Sequence, residues 1–391
     1  MKKILIVNNN MHIGGVQRSL VSLLWSIRGL YDVTLLLFSE CGDCLNELPP
    51  ETKIVTARSA YKYLGMTKYD TKSVSDKLGR AFFAGISRLF GRKYAVSLMS
   101  LSQKKLTGYD VAISYLHNSN GKMFYGGCND FVLDKIYGAK KIAFVHCDYV
   151  ASGSDTPENA ASYARFDLIA ACSNGCAKSF LVANPALEDK VRVVTNAHRF
   201  DKILADADAS PVALADGKIN VVTVARLGKE KSVDRAVKAI ARLGNLKEKL
   251  HYYVVGDGVG RDEITDLIDK NGLADTVTLC GTLFNPYGYI RAADLLLIPS
   301  RNEAAPLVIG ESAALGTPIL STETSSAREM ISERGLGWVC ENSVEGIENA
   351  LSGLIRSPEL LEKKKDELSQ ASFDNTDAVN AFLDLINETL T

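Results

Sequence analysis

Two carboxylates in the stretch SRNEAAPLVIGESAALGTPIL, residues 300–320, are placed either for acid/base chemistry or for holding a ligand. Glu303 and Glu311 lie eight positions apart, with Pro306 between them and a Gly316-Thr317-Pro318 stop behind. The preceding DLLLIPS reads as a buried strand, and Pro306 suits the first turn of a following helix. That puts Glu303 in the loop before the helix and Glu311 more than one turn inside it. At that spacing on one helix, two residues stand roughly 12 Å apart along the axis and about 80° apart in direction. Glycosidase carboxylates instead face each other across one bond, roughly 5 to 10 Å apart. A pair astride a helix start brackets a ligand whose anionic middle rests on the helix amides. The apolar neighbours of Glu311 imply that this face is mostly buried.

Three other loops carry chemistry. In TVARLGKEKSVDRAVKAI, Arg226 ends a strand and Lys231 precedes Ser232, which can cap a helix. Two cations there make a diphosphate clamp or, with Lys229 alongside, an ordinary solvated basic loop; spacing alone does not choose. In NNNMHIGGVQRSL, Gly14 and Gly15 open an amphipathic helix after the first strand, where backbone amides suit an anion. In VVGDGVGRDEI, glycines 256, 258 and 260 follow a strand but lack the dinucleotide spacing, so a tight turn is the better reading.

These loops need strands to position them. Apolar runs at 4–7, 33–38, 111–116, 141–146, 168–173 and 191–196 read as strands alternating with helices. The pattern restarts at 219–226, 250–258, 276–281, 294–300 and 317–322. Continuous apolar strands separated by helices imply parallel sheets covered on both faces, twice over. The expected architecture is α/β: two doubly wound, Rossmann-like domains facing each other across a cleft. Residues 1–198 form the first, 199–218 a linker and 219–372 the second, with 373–391 a C-terminal helix crossing back to the first. Ligands of such sheets bind beyond the carboxyl ends of the strands, where all four loops fall.

The chain of 391 residues is 46% hydrophobic and 23% charged, the composition of a globular protein. It has no run of eighteen apolar residues, and MKKILIVNNN reads as a buried first strand rather than a signal peptide, so a cytoplasmic protein is expected. The eight cysteines are scattered; Cys41 and Cys44 form a C-x-x-C without a second pair, so no structural zinc is expected.

The net charge of −1 conceals an asymmetry. Residues 1–200 carry 25 basic against 16 acidic residues, and residues 201–391 carry 20 against 30. The excess concentrates in residues 61–106, with ten basic and two acidic. There Phe82, Phe83, Ile86, Leu89 and Phe90 recur at helical spacing among Lys77, Arg80, Arg88, Arg92 and Lys93. The stretch reads either as a solvated helical face or as an interfacial patch for an anionic membrane surface. No nucleic-acid-binding module is recognisable.

Arg226 and Lys231, the glycine turn and the E-x7-E pair, followed by G-x-P-I-L, resemble the donor site of retaining glycosyltransferases of family 4, which have the GT-B fold. The loop IGGVQRSL resembles that family's first loop, and VVTNAHRF, residues 193–200, its hinge strand. The resemblance covers essentially the whole chain and is specific in the C-terminal half. It implies that Arg226 and Lys231 bind the diphosphate of a UDP- or GDP-linked sugar. It also implies that Glu311 holds the ribose, Glu303 the donor sugar, and the amides near Leu307 and Val308 the phosphate, with Gly14 and Gly15 closing from the N-terminal domain beside the turn at Gly256. His146, after a strand in FVHCDY, matches the family's histidine near the reacting sugar; His117, after the strand at 111–116, competes with it.

The activity so implied is transfer of a hexose-type sugar to a saccharide or polyprenyl-linked acceptor in cell-surface glycan synthesis, with no metal or other cofactor. His146, Glu303, Arg226 and Lys231 would carry it. Front-side attack is expected, because no carboxylate is placed as a nucleophile. The chain departs from the family in Ala304-Ala305-Pro306, where Gly-aromatic-Gly is common, and in Ser232, where glycine is usual. The rival readings are a nucleotide-sugar epimerase or hydrolase on the same fold and a non-catalytic two-domain sugar-binding protein.

Overall fold

The computed structural model describes residues 1–67, 70–71, 73–118 and 124–391. Its chain divides into two units, residues 1–197 with 375–391, and residues 198–374.

The first unit holds seven parallel strands: β1 (Lys3–Asn8), β2 (Asp32–Leu37), β3 (Lys53–Thr56), β4 (Val111–Ser114), β5 (Lys140–Val145), β6 (Leu168–Ala171) and β7 (Val191–Val193). Their order across the sheet is β3-β2-β1-β4-β5-β6-β7. The second unit holds β8 (Ile219–Val224), β9 (Leu250–Val255), β10 (Val277–Gly281), β11 (Leu295–Ile298), β12 (Ile319–Thr322) and β13 (Gly337–Cys340). These run in the order β10-β9-β8-β11-β12-β13, again all parallel. Both sheets reverse their winding at one point, between β1 and β4 in the first and between β8 and β11 in the second. Such a switch point leaves a crevice beyond the strand ends of its own sheet, flanked in the first unit by the loops after β1 and β4 and in the second by those after β8 and β11.

The central strands form because their side chains are apolar on both faces: Ile4 to Val7, Leu35 to Leu37, Ile142 to Val145 and Leu295 to Leu297 are essentially buried. β3 and β13, absent from the sequence reading, are the outer strands of their sheets and are largely or partly exposed. An edge strand buries too little to need a continuous apolar run.

Two stretches differ from expectation. The proposed linker 199–218 begins with a helix, Phe200–Ala209, whose Ile203 and Ala207 lie four positions apart and are buried in the core of the second unit. Its alanine and aspartate content hid that short apolar face. The helix after β11 starts at Val308, so Glu311 lies in its first turn rather than beyond it. Pro306 belongs to a tighter turn before the helix, in which the amide of Ile309 donates to its carbonyl at 3.2 Å. The last helix, Thr376–Leu390, packs in the first unit, where Phe382, Leu385 and Ile386 complete the core against β4 to β6.

Candidate functional site

In the second unit the loops after β8, β11 and β12 assemble around Glu303. Lys231 Nζ donates to Glu303 Oε1 at 2.6 Å, and Ser300 Oγ donates to the same oxygen at 2.7 Å. The Glu303 side chain is only 10% exposed and that of Lys231 27%, so the pair is shielded from screening. The loop that carries Glu303 is itself braced. Buried Arg235 donates to the carbonyls of Pro299 and Asn342, and Asn342 Nδ2 donates to those of Arg301 and Glu323. Ser325 Oγ donates to the carbonyl of Glu303 at 2.8 Å. Neither Arg235 nor Asn342 was singled out by the sequence reading; a buried arginine facing inward from a helix leaves no local pattern.

Lys231 is held by an unusual backbone. Ser232, next to it, has φ of +49°, the only positive value for a non-glycine among the described residues. That conformation costs an L-residue on the order of 1–2 kcal/mol, which explains why glycine is the comfortable residue here. The Ser232 hydroxyl recovers part of the cost by donating to the carbonyl of Lys229 at 2.7 Å. Arg226 is the exposed member of the loop: its side chain is 77% exposed and pairs with Glu230 at 2.8 Å. An exposed pair of this kind is worth little and is readily exchanged for a stronger anion.

The glycine turn is explained by close backbone approach rather than by a nucleotide motif. A Cβ on Gly256, whose φ is +142°, would sit 1.9 Å from the carbonyl oxygen of Ala225, and one on Gly258 would sit 2.8 Å from the backbone of Leu227. The turn after β9 therefore presses against the residues on either side of Arg226 and fixes their path.

Glu311 is buried at 6% exposure, and the Tyr287 hydroxyl donates to it at 3.4 Å. Leu307 and Val308 stand at the helix start, where His198 Nε2 lies 3.1 Å from the carbonyl of Leu307. Gly310 makes room for that ring, since its Cβ would fall 2.5 Å from His198 Nε2.

In the first unit Gly14 and Gly15 begin the helix Gly15–Ser26, which has no side-chain cap. Ser19 on this helix donates to Asn196 Oδ1 at 2.7 Å and bonds the Tyr115 hydroxyl at 2.8 Å, tying the helix to the ends of β4 and β7. The Tyr115 ring lies 4.7 Å from that of His146, which stacks on Phe144 at 5.5 Å. Burial, and then the neighbouring His117, push His146 down to about 3, so its imidazole is neutral at ordinary pH. His146 Nε2 and His117 Nδ1 are both buried without a hydrogen-bond partner. Burial opposes charge on His117, but the adjacent Cys147 outweighs it and raises His117 above its usual range. Burial likewise opposes the Cys147 thiolate, which His117, Ser152 and Ser154 nevertheless favour, and Cys147 is lowered. The two candidate histidines thus differ in state: His117 is engaged with a thiol, whereas His146 offers an unused neutral nitrogen.

The basic stretch is corrected in one respect. Arg92, expected on the membrane-facing surface, is 4% exposed and pairs with Asp130, because Gly91 breaks the helix and turns the next one inward. Arg80 is half-buried and donates to the carbonyl of Met66. Lys77, Arg88 and Lys93 remain exposed. Lys68, Tyr69 and Lys72 of the same stretch lie outside the described residues. Val74, Leu78, Phe82 and Leu89 form an exposed apolar band on one face of the helix Val74–Phe90, from 58% to 78% exposed. Among the described residues no helix is long and apolar enough to cross a membrane.

A cavity of about 580 Å³ opens at the amino ends of β1 to β3, lined by Met1, Lys3, Ile27 and Tyr31. It lies at the end of the sheet opposite the loops described above.

The fold is GT-B: two parallel-sheet, Rossmann-like units. The solved HepE of Anabaena in complex with UDP-glucose superimposes with a TM-score of 0.68, at 17% identity over 100% of this chain and 99% of that one. Residues 206–371 match the family model described as glycosyl transferases group 1, from near the end of the helix Phe200–Ala209 through all of the braced loops of the second unit. An alpha-D-kanosaminyltransferase of Streptomyces kanamyceticus is 27% identical over 151 residues, 38% of this chain and 39% of that protein. The N-acetylgalactosamine-N,N'-diacetylbacillosaminyl-diphospho-undecaprenol 4-alpha-N-acetylgalactosaminyltransferase of Campylobacter jejuni is 30% identical over 180 residues, 46% of this chain and 48% of that one. The chain thus spans less than half the length of these two relatives.

Proposed function

We propose that the chain is a retaining glycosyltransferase that moves a hexose-type sugar from a UDP- or GDP-linked donor to a saccharide or polyprenyl-linked acceptor in cell-surface glycan synthesis. One observation carries the reading. At the switch point of the second sheet a braced loop places Glu303 against Lys231, with Arg226 on the same loop as the lysine. The named substrates of the Streptomyces, Campylobacter and Anabaena proteins support the class of donor and acceptor.

The diphosphate takes Lys231 and the swinging Arg226, and these cations stabilise charge as the nucleotide departs. Glu303 then accepts from hydroxyls of the donor sugar, and Glu311 from the ribose. Neutral His146 offers its orphaned Nε2 to a sugar hydroxyl, and the backbone amides at Gly14 and Gly15 suit an anion. Glu303 is engaged by Lys231 and Ser300 rather than poised as a nucleophile. Front-side attack follows, with the leaving phosphate oxygen taking the proton of the acceptor hydroxyl. The two cations supply the positive charge that a metal supplies elsewhere, so the reaction is metal-independent in this reading. The apolar band of the helix Val74–Phe90, with Lys77, Arg88 and Lys93, docks the enzyme on the anionic cytoplasmic face of a membrane where lipid-linked acceptors reside.

Donors are to be found by thermal shift across UDP- and GDP-sugars, since a ligand binding only the folded state raises the melting temperature. Transfer to an acceptor with the anomeric configuration kept is the expected result. An inverted product, or free sugar released at the same rate without acceptor, overturns the reading.

A further inference from the structure

We infer that the first unit contains a binding site for a borderline d-block divalent cation, Zn²⁺ foremost, formed by His12, Cys41 and Asp70, distinct from the Lys231–Glu303 cluster of the second unit. These three residues come from the loop after β1, the loop after β2 and the segment before the helix Val74–Phe90. One ligand atom of each lies within 4.8 Å of the others, and all three residues are partly exposed. An imidazole, a thiolate and a carboxylate form the mixed set that zinc accepts, with the fourth tetrahedral position left to water.

The distances fit. Zinc bond lengths in tetrahedral geometry separate a nitrogen from a sulfur by about 3.6 Å and a nitrogen from an oxygen by about 3.3 Å. His12 Nε2 stands 3.6 Å from Cys41 Sγ and 2.8 Å from Asp70 Oδ2. An ion therefore needs the His12–Asp70 hydrogen bond to open by about half an ångström, with Cys41 Sγ and the Asp70 carboxylate already within 4.8 Å of each other.

The surroundings are built rather than fortuitous. The amide of Met11 donates to the carbonyl of Cys41 at 2.8 Å, and the amide of Cys44 to that of Met11 at 3.0 Å. A Cβ on Gly42 would fall 2.1 Å from the backbone nitrogen of His12, and one on Gly65 2.5 Å from the carbonyl oxygen of Asn9. Three loops are thus clamped backbone to backbone beneath the cluster. The carboxylate is oriented by the Thr67 amide and hydroxyl, each donating to Asp70 Oδ2 at 2.7 Å, the outer bonds that hold a metal-binding carboxylate in place. Cys44, the other half of the C-x-x-C, is buried in the core and takes no part. On binding, the Cys41 thiol loses its proton to solvent, so affinity rises with pH. The ion joins the Gly14–Gly15 loop to the segment that leads into the apolar helix.

The test is titration of the full chain, kept reduced, with Co²⁺ and Zn²⁺. One equivalent of Co²⁺ is expected to give a thiolate charge-transfer band and a tetrahedral d–d spectrum, both displaced by Zn²⁺. Cys41→Ser, His12→Gln and Asp70→Asn, each checked for native melting, are expected to lower affinity at least about tenfold. Cys44→Ser, in the same loop, is expected to leave it unchanged. A folded Cys41→Ser protein that binds Co²⁺ as the parent does overturns the assignment. So does a parent that shows no thiolate band, and the three residues are then a hydrogen-bonded cluster only.

Discussion

The two units share one winding order and use it differently. In the second, the charged side chains of the site are paired, Lys231 with Glu303 and Arg226 with Glu230, and the loop carrying Glu303 is braced by Arg235, Asn342 and Ser325. In the first, the strand ends leave His117 Nδ1 and His146 Nε2 without partners, and a helix turns an apolar face to solvent. A prebuilt site suits one invariant ligand group, the diphosphate. An unsatisfied site with a sticky edge suits a ligand that completes it on arrival, as an acceptor on a membrane would. Under the proposed function, pre-organisation falls where the charge develops, and adaptability where the partner varies.

This contrast is open to breakage. The largest effect is expected from Lys231→Ala, which removes the diphosphate cation and leaves Glu303 buried without its partner. Transfer should fall roughly 10²–10³-fold in kcat/KM, and full turnover would show that the paired site is not the donor site. Next, Leu78→Glu with Phe82→Glu should abolish sedimentation with anionic phospholipid vesicles at low salt. Donor binding by thermal shift should be untouched; vesicle binding that persists would remove the membrane role from the helix.

A smaller effect concerns His146, held at about 3 against an ordinary 6.5. The unfolded chain binds the extra proton between these values, so the contribution is complete above pH 6.5 and is lost as pH falls through the window. The expected slope is up to about 1.4 kcal/mol per pH unit. His117, shifted the other way, opposes it at the upper end. Urea midpoints across this range should lose that slope in His146→Gln; an unchanged slope would mean the imidazole is not held neutral. The smallest effect is Ser232→Gly, which relieves the left-handed backbone but removes the hydroxyl bond. A gain of about 1 kcal/mol is expected in urea unfolding, and a loss would show that the hydroxyl matters more than the strain.

Much of this molecule is legible in its sequence where burial is two-sided. The central strands announce themselves as continuous apolar runs, and the residues after them fall at the switch points as strand-end reasoning requires. The edges do not. β3 and β13 are half-solvated, and the helix Phe200–Ala209 buries only a thin face among alanines and aspartates. Glu303, Glu311, Arg226 and Lys231 stand out by their place after strands and by the family resemblance, whereas the bracing by Arg235 and Asn342 leaves no such mark. Those contacts span 64 positions to Pro299 and 41 to Arg301, and no local pattern encodes them. Arg92 escapes the pattern for a related reason: Gly91 resets the helix phase, and a single periodicity drawn through residue 91 points the arginine the wrong way.

The helix Thr376–Leu390 packs in the first unit although the whole second unit precedes it in the chain. During synthesis the first sheet therefore leaves the ribosome with the seat of Phe382, Leu385 and Ile386 unfilled, and waits for the entire second unit before its core can close. The second unit is in effect an insertion between the first sheet and the helix that completes its core. Loss of the last seventeen residues (375–391) would damage the half of the molecule most distant from them in sequence.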